Sequence, residues 1–177
     1  ARGSTAGVDH HGQLGTGTVG GSSGVPVPVK SEGVKLVNVS ARQEFSCAEG
    51  VSGGIYCWGG NFSGELGNNS QINSSEPVAV HVPAGVKLSG VSVGGYFACA
   101  LAPNGAYCWG QNSAGKLGDG TATDRWTPVR VAGTRGPGLG GLGATGCAGA
   151  DPVLNSTVAA SPAQPATSCH GRMGSLR

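Results

Sequence analysis

The chain has 177 residues, of which 35 are glycine and ten are proline, with three residues each of tryptophan, tyrosine and phenylalanine. This composition disfavours helices and favours turns and short strands, so it argues against a helical bundle. The formal net charge is +2 and the basic residues are scattered singly, which argues against a nucleic-acid-binding surface. There is no run of about 18 apolar residues and no signal-peptide pattern, but the chain opens at Ala1. We therefore expect a piece of a longer protein.

An internal repeat of about 51 residues organises the sequence. Residues 1–32 hold the end of one copy, residues 33–84 and 85–133 are complete copies, and residues 134–177 are a degenerate partial copy with a low-complexity tail. Several structural positions recur between the two complete copies. They are Trp58, Gly64, Leu66, Gly67, Trp109, Gly115, Leu117 and Gly118.

Each complete copy contains four short runs of strand-forming residues separated by turn residues. In residues 85–133 the runs are Lys87–Val93, Tyr96–Leu101, Ala106–Trp109 and Pro128–Ala132. Four antiparallel strands make one blade of a β-propeller, so the predicted fold is all-β, with about 2.5 to 3 blades. Because a blade cannot bury both faces alone, neighbouring blades must stack around an axis.

Three motifs follow one another along the second copy. Tyr107–Gly110 reads Tyr-Cys-Trp-Gly, Asn112–Gly118 reads Asn-x-x-Gly-x-Leu-Gly, and Pro128–Val131 reads Pro-Val-x-Val. In this order they resemble the regulator of chromosome condensation repeat family over about residues 10–133. The resemblance implies an incomplete piece of a propeller that usually has seven blades. Members include a guanine-nucleotide exchange factor, a β-lactamase inhibitor and receptor ectodomains, so it also implies that a propeller face binds another protein.

Four of the six cysteines form two equivalent pairs, Cys47 with Cys57 and Cys99 with Cys108. The second pair flanks the turn Pro103–Gly105, and antiparallel pairing would place its two residues opposite each other, within reach of a disulfide. We expect disulfides in an oxidising compartment and buried free thiols in a reducing one. The pairs also resemble those of secreted or cell-surface family members. No metal site is expected, because there is no close Cys-x-x-Cys pair and the histidines occupy unrelated repeat positions.

Five Asn-x-Ser/Thr sequons support the same interpretation. They begin at Asn38, Asn61, Asn68, Asn73 and Asn155. Asparagine and serine are plentiful, so several sequons would arise by chance. Together with the cysteine pairs they favour an extracellular or cell-surface glycoprotein, and a cytoplasmic or nuclear protein is the alternative.

Two patterns that are typical of enzymes coincide with predicted repeat loops. Gly15–Gly20 has the spelling of a dinucleotide-binding loop, but no strand leads through it into a helix. Gly20–Gly24 and Gly50–Gly54 have the spelling of a nucleophile elbow, which needs the same strand-to-helix turn. The glycines are therefore interpreted as structural.

A third pattern, Gly110–Lys116, approaches a phosphate-binding loop. Leu117 stands where serine or threonine would bind magnesium. Lys116 is equivalent to Gln13 and Glu65, so we interpret it as a variable, solvent-facing position. We expect no catalytic residue, no cofactor and no enzymatic activity.

The three tryptophans fall into two classes. Trp58 and Trp109 are equivalent and are predicted to pack between blades. Trp126 breaks the repeat, since its equivalent is Ser75. Tryptophan is enriched at binding hot spots, so Trp126 is the candidate contact for a partner protein, with a partly buried loop anchor as the alternative.

Residues 134–177 lack a clear repeat, and Ser161–Ala166 is rich in serine, proline and alanine. This composition predicts disorder, and a shifted reading frame in a glycine- and alanine-rich gene would produce the same composition.

The function that these observations favour is a non-catalytic protein–protein interaction scaffold in a larger secreted or cell-surface protein. The alternative is a guanine-nucleotide exchange factor that acts on a small GTPase. Neither function needs direct nucleic-acid binding.

Overall fold

A computed structural model of the chain describes residues 4–133. Within this range the protein forms ten β-strands, a single 3-10 turn at Ser113–Gly115 and no α-helix. The strands are β1 (Ser4–Val8), β2 (Ser22–Pro28), β3 (Leu36–Arg42), β4 (Phe45–Gly50), β5 (Ile55–Gly59), β6 (Ser74–Ala79), β7 (Ser89–Val93), β8 (Phe97–Ala102), β9 (Gly105–Gly110) and β10 (Arg125–Arg130).

The strands form three antiparallel sheets, which we call the first, second and third units. The first unit contains β1 and β2, the second has the order β3-β4-β5-β6, and the third has the equivalent order β7-β8-β9-β10. Strand β7, the first strand of the third unit, packs against β3 and β4 of the second unit. Neighbouring units therefore meet through the first strand of the later one. The two complete sheets are propeller blades, which confirms the predicted all-β fold and its incompleteness.

Strand β10 begins earlier than the sequence predicted, at Arg125 and not at Pro128. Arg125 pairs with Gly110, and the register shifts before Val129 pairs with Cys108. The irregularity contains Pro128, which has no backbone N–H to donate to a ladder, and such residues are tolerated at edges and bulges. The Pro-Val-x-Val motif therefore continues a strand that has already started.

Both predicted cysteine pairs form disulfides in the structure. Cys47 lies opposite Cys57 on β4 and β5, and Cys99 lies opposite Cys108 on β8 and β9. The Cα atoms of each pair are 4.0 Å apart. All four side chains are buried, so each disulfide links the two middle strands of a blade inside the core.

Two tryptophans join consecutive units, as predicted. The indole Nε1 of Trp58 donates to the carbonyl oxygen of Gln13 at 3.0 Å, and that of Trp109 donates to the carbonyl of Glu65 at 2.9 Å. Each accepting residue belongs to the loop of the preceding unit, and both indoles are fully buried. Trp58 and Trp109 therefore hold successive blades together through one repeated hydrogen bond.

The glycines beside these acceptors are required by the same contact. Gly15 and Gly67 have φ angles of 69° and 63°, which glycine adopts at little cost. A Cβ atom at Gly15 would lie 2.7 Å from the Nε1 of Trp58, and one at Gly67 would lie 2.8 Å from the Nε1 of Trp109. At Gly118, the equivalent position in the third unit, the Cβ would meet only Val131, since no described residue supplies an indole there.

Gln13, Glu65 and Lys116 occupy equivalent positions in the three units. The sequence predicted that this position faces solvent, but in the structure all three residues are buried or half-buried. Glu65 is 2 % exposed, and the other two residues are half-buried. The carbonyl of this residue accepts the next unit's tryptophan, so a following blade covers the site. Burial raises the pKa of the Glu65 carboxyl above its usual value, although the backbone amides of Glu65 and Ser63 lower it, and the negative charges of Asp124 and Glu44 add to the rise.

The disulfides give a first test of the fold. A Cys99→Ala/Cys108→Ala variant should lose about 2 to 3 kcal/mol of unfolding free energy. The reason is that the unfolded chain regains the conformational entropy that the disulfide removes by closing a loop of ten residues. Urea denaturation without reductant measures the loss, and Cys47→Ala/Cys57→Ala should lose a similar amount. A variant with the parent's urea midpoint would contradict the role given to the Cys99–Cys108 bond.

A second prediction concerns Glu65. Gln13 Oε1 accepts from the amide of His11 at 2.8 Å, just as Glu65 Oε2 accepts from Ser63 at 2.8 Å, so Glu65→Gln keeps this bond and removes a buried charge. The variant should melt a few degrees higher than the parent at pH 7. The folded-state pKa of Glu65 is raised. The parent therefore loses stability relative to the variant as pH rises from the pKa of Glu65 in the unfolded chain through its pKa in the folded protein. The melting difference should therefore shrink as pH falls toward 4, and a difference independent of pH would refute this account.

Candidate functional site: the long-loop face

The loops between the third and fourth strands of the units emerge at one end of the sheets. They span residues 9–21, 60–73 and 111–124. Because the strands alternate in direction, the turns β3–β4 and β7–β8 lie at the same end. We call this end the long-loop face, and the opposite end, with the turns β4–β5 and β8–β9, the short-turn face.

Each long loop is closed by a side-chain oxygen that accepts from the amide of a buried leucine five residues later. The distance is 2.9 Å in all three units. The pairs are Asp9 with Leu14, Asn61 with Leu66, and Asn112 with Leu117. Repeat analysis of the sequence missed Asp9, although its position five residues before the leucine of Gly-x-Leu-Gly would have identified it.

The second and third loops add the same internal bonds. The amide nitrogen of Asn61 donates to the carbonyls of Ser70 and Ile72 at 3.0 and 3.1 Å. The amide of Asn112 donates to the carbonyls of Thr121 and Thr123 at 3.1 and 3.0 Å. Both asparagines are 0 % exposed, so each loop is held by a buried polar centre, and the residues at its tip are displayed in a fixed arrangement.

The third loop also contains an ion pair. The Oδ2 of Asp119 accepts from the Nε of Arg125 at 2.7 Å and lies 2.7 Å from its NH2 group. Burial raises the pKa of Asp119, but hydrogen bonds from Thr121, Arg125 and Asn112 outweigh it and lower the pKa to about 2. A carboxyl with a lowered folded-state pKa stabilises the fold above its unfolded pKa. The ion pair should therefore contribute at neutral pH and be lost as pH falls from about 4 to about 2.

Besides Val19 of the first long loop, which is 62 % exposed, three large apolar side chains are exposed on the long-loop face. Phe62 is 55 % exposed, Ile72 is 77 % exposed and Trp126 is 42 % exposed. At each position the other units have polar or small residues. These are His10 and Ser113 for Phe62, Gly20 and Thr123 for Ile72, and Gly24 and Ser75 for Trp126. The sequence singled out Trp126 alone, but the same comparison of unlike positions would have found Phe62 and Ile72.

Trp126 is anchored to the loop of the second unit by its backbone. Its carbonyl accepts from the amide of Asn69 at 2.9 Å. A Cβ atom on Gly64 would lie 2.6 Å from both the Cα and the Cδ1 of Trp126, so the residue packs directly over that glycine. Ser75 lies over Gly12 in the same way. The backbone contact is thus common to the repeat, while the exposed indole is specific to this position.

A cluster around His11 lies at the other side of the second loop. The ring of His11 packs edge-on against Phe62 with centroids 5.1 Å apart. Its Nε2 is 3.7 Å from the Glu44 carboxylate, and its Nδ1 is 3.4 Å from the side-chain amide of Asn73. Phe62 is therefore supported by the first unit, as Trp126 is by the second.

The asparagines of the glycosylation sequons differ in their exposure to solvent. Asn61 is 0 % exposed and its amide nitrogen is used inside the loop, so this sequon is not accessible in the folded protein. Asn38 and Asn73 are exposed and Asn68 is half-buried. Asn155 lies outside the described residues.

The enzyme-like patterns have local structural roles. Gly15–Gly20 lies in the first long loop, and Gly110–Lys116 runs from β9 into the 3-10 turn. The amide of Gly50 bonds to the carbonyl of Gly54 at 3.0 Å and closes the β4–β5 turn.

Residues 4–133 lack two further features, a metal-binding cluster and a membrane-spanning helix. This part of the chain contains no group of three or more histidine, cysteine or acidic side chains that could hold a metal ion. It also contains no helix that is long and apolar enough to span a membrane.

Comparison with known proteins agrees with this architecture. The family description "Regulator of chromosome condensation (RCC1) repeat" matches residues 52–101 and 104–138, and a second model of the same description matches residues 89–116. Human E3 ubiquitin-protein ligase HERC2 is 34 % identical over 130 residues, which cover 71 % of this chain and 3 % of HERC2. The ultraviolet-B receptor UVR8 of Arabidopsis thaliana is 30 % identical over 113 residues, 63 % of this chain and 26 % of UVR8.

Among solved structures, Prp20p of Saccharomyces cerevisiae superposes with a TM-score of 0.62 at 23 % sequence identity. The match covers 72 % of this chain and 33 % of Prp20p, a protein described with its binding to Gsp1p and histones. This likeness concerns the fold. The chain thus spans only a small part of HERC2 and about a quarter of UVR8. The repeated sequence motifs, the two four-stranded blades and these matches together establish that the chain belongs to the RCC1 repeat family.

Proposed function

We propose that the chain is the protein-binding part of a larger propeller protein, that it acts without catalysis, and that its long-loop face contacts the partner. The observation that carries the proposal is the exposure of Phe62, Ile72 and Trp126 where the other units have polar or small residues. Exposed aromatic residues on a rigid support are typical binding hot spots. RCC1-repeat relatives include proteins that bind other proteins, such as Prp20p with Gsp1p.

The loop architecture supports binding by a preformed surface. Phe62 and Ile72 belong to one loop, whose ends are tied by the side chain of Asn61, and Gln71 donates to the carbonyl of Phe62 at 2.7 Å. The indole of Trp126 packs on Gly64 of that loop. Because these side chains are already positioned, little conformational entropy would be lost on association.

Substitution of Trp126 tests this surface. Trp126→Ser introduces the residue that the repeat uses at Ser75, so the contact of the backbone with Gly64 should persist. The matched control is Val51→Ser, at a side chain that is 63 % exposed on the short-turn face. A partner should first be isolated with the parent chain by crosslinking in extracts of the source organism. Its affinity should then fall at least about 30-fold for Trp126→Ser and stay unchanged for Val51→Ser. Equal affinities for both variants would exclude Trp126 as a contact.

A small GTPase is the alternative partner, with the protein acting as a guanine-nucleotide exchange factor. Release of a fluorescent nucleotide from the small GTPases of the source organism distinguishes the two proposals. Accelerated release by the parent chain would favour exchange activity, and unchanged release would favour a scaffold.

We further propose that the protein works outside the cell or at its surface. Support comes from the two disulfides at equivalent positions of both complete units, because such bonds persist in oxidising compartments. If this is correct, alkylation of the natural protein under non-reducing conditions should leave Cys47, Cys57, Cys99 and Cys108 unmodified in peptide mass spectra. Alkylation of these four cysteines would instead place the protein in a reducing compartment.

A further inference from the structure

The second long loop contains three of the five Asn-x-Ser/Thr sequons, and the structure gives their asparagines different surroundings. The sequons begin at Asn61, Asn68 and Asn73. An N-linked glycan is bulky, belongs at the protein surface and is attached to the side-chain Nδ2 of asparagine. The burial and the hydrogen bonds of each asparagine therefore decide which sequon the folded loop can carry in glycosylated form.

Two of the three asparagines serve the inside of the loop. Asn61 is 0 % exposed, and its Nδ2 donates to the carbonyls of Ser70 and Ile72 at 3.0 and 3.1 Å. A glycan on this atom would break the bonds that close the loop. Asn68 is half-buried, and its Oδ1 accepts from the hydroxyl of Ser70 at 2.9 Å. The side chain of its counterpart Asp119 is only 5 % exposed, so this position also faces inward.

The third asparagine, Asn73, is exposed. Its Oδ1 accepts from the backbone amide of Asn61 at 2.9 Å. In the third unit the counterpart Asp124 accepts from the backbone amide of Asn112 at 2.7 Å in the same way. An ionised carboxylate has no N–H, so the fold uses only the oxygen at this position. Because N-glycosylation leaves Oδ1 unchanged, the modified side chain would keep its bond to the loop.

The exposure of Asn73 does not arise from the incompleteness of the first unit. Asp124 occupies the same position beside the complete second unit and is exposed as well. The Nδ2 of Asn73 lies 3.4 Å from the Nδ1 of His11 in the first long loop. A glycosylated Nδ2 retains one N–H, which can still donate to His11.

Asn38 is the other exposed sequon asparagine within residues 4–133. Its Nδ2 donates to Oε1 of Glu49 at 3.3 Å, and the same oxygen accepts from the amide of Gly90 at 3.0 Å. Gly90 belongs to the third unit, so a glycan on Asn38 would stand at a contact between blades. Asn73 is therefore the sequon at which a glycan leaves both the loop bonds and the contacts between blades in place.

We propose that Asn73 is an N-glycosylation site, and this inference rests on the proposed extracellular or cell-surface location. The donor is an oligosaccharide whose anomeric carbon carries a diphosphate leaving group, and an oligosaccharyltransferase of the secretory pathway catalyses the transfer. The bond from the anomeric carbon to the diphosphate oxygen breaks, and a bond from that carbon to Nδ2 forms. Nδ2 gives up one proton, and the diphosphate takes the electron pair of the broken bond.

The position of Asn73 also places the glycan relative to the proposed partner surface. Asn73 lies where the first and second long loops meet, through its contact with His11. Trp126 lies where the second and third units meet, since its carbonyl accepts from the amide of Asn69. The glycan and the candidate contact Trp126 therefore occupy different junctions of the long-loop face.

Secretion of the full chain from a eukaryotic cell, with an added signal peptide, tests the site. The secreted protein is digested, and peptide-N-glycosidase in heavy-oxygen water marks each glycosylated asparagine for fragment-ion mass spectrometry. Asn73 should carry the mark in most copies of the secreted protein, whereas Asn61 and Asn68 should not carry it.

Three variants give a second readout by gel mobility. Asn73→Asp keeps the oxygen that bonds to Asn61, and Ser75→Ala removes the sequon without changing Asn73. Both should lose the mobility shift of one glycan relative to the parent. Ser74→Ala is the matched control, because it leaves the Asn-x-Ser pattern intact, and it should keep the shift.

Several outcomes would overturn the proposal. They are an unmarked Asn73 in secreted protein whose disulfides resist alkylation, equal mobility of the parent and Ser75→Ala, and a mark on Asn61 or Asn68 in place of Asn73. Retention of the parent inside the cell while Asn73→Asp is secreted would also contradict it, since the glycan would then hinder folding. The added signal peptide supplies the secretory route, so these results do not depend on the natural compartment. Alkylation of the cysteines in the natural protein tests that compartment separately.

Discussion

The hydrogen bond from an indole to a loop carbonyl of the preceding unit is the contact on which the arrangement of the blades depends. Trp58 makes it to Gln13 and Trp109 makes it to Glu65. Both indoles are large, fully buried side chains, so each contact combines a hydrogen bond with extensive burial of apolar surface. Because the indole lies directly on Gly15 or Gly67, a larger residue at either glycine would separate the blades. A chain with few aromatic residues thus obtains its core mainly at the junctions between its units.

The same loops that accept the indoles also display the candidate binding surface. Asn61 fixes the second loop from within by bonds to both of its halves, and Trp126 of the third unit lies on its glycine. Blade stacking and surface presentation are therefore coupled, since the carbonyl that receives an indole and the exposed Phe62 and Ile72 lie on one short segment. A change that loosens the stack should also disturb the surface, whereas replacement of an exposed side chain should not disturb the stack.

The sequence predicted the features that recur and missed those that depend on a neighbouring unit. Trp58, Trp109 and the cysteine pairs could be assigned because each occurs at the same place in both complete copies. The burial of Glu65 could not, since its own unit leaves the position open and the next unit covers it. Asp9 was overlooked because a carboxylate replaces the amide of Asn61 while its oxygen keeps the same bond. The partner contact at Trp126 stays a prediction, because exposure identifies a candidate surface and not its ligand.

Hydrogen exchange of the three tryptophan indole protons tests the central claim most directly. In 15N spectra of the labelled chain the account predicts that the indole N–H groups of Trp58 and Trp109 exchange slowly and with similar protection, because both are buried and bonded to the preceding unit. Trp126, which is 42 % exposed, should exchange rapidly. Equal and rapid exchange of all three indoles would contradict the stacking of the units through tryptophan and, with it, the fixed surface that the long loops are proposed to present.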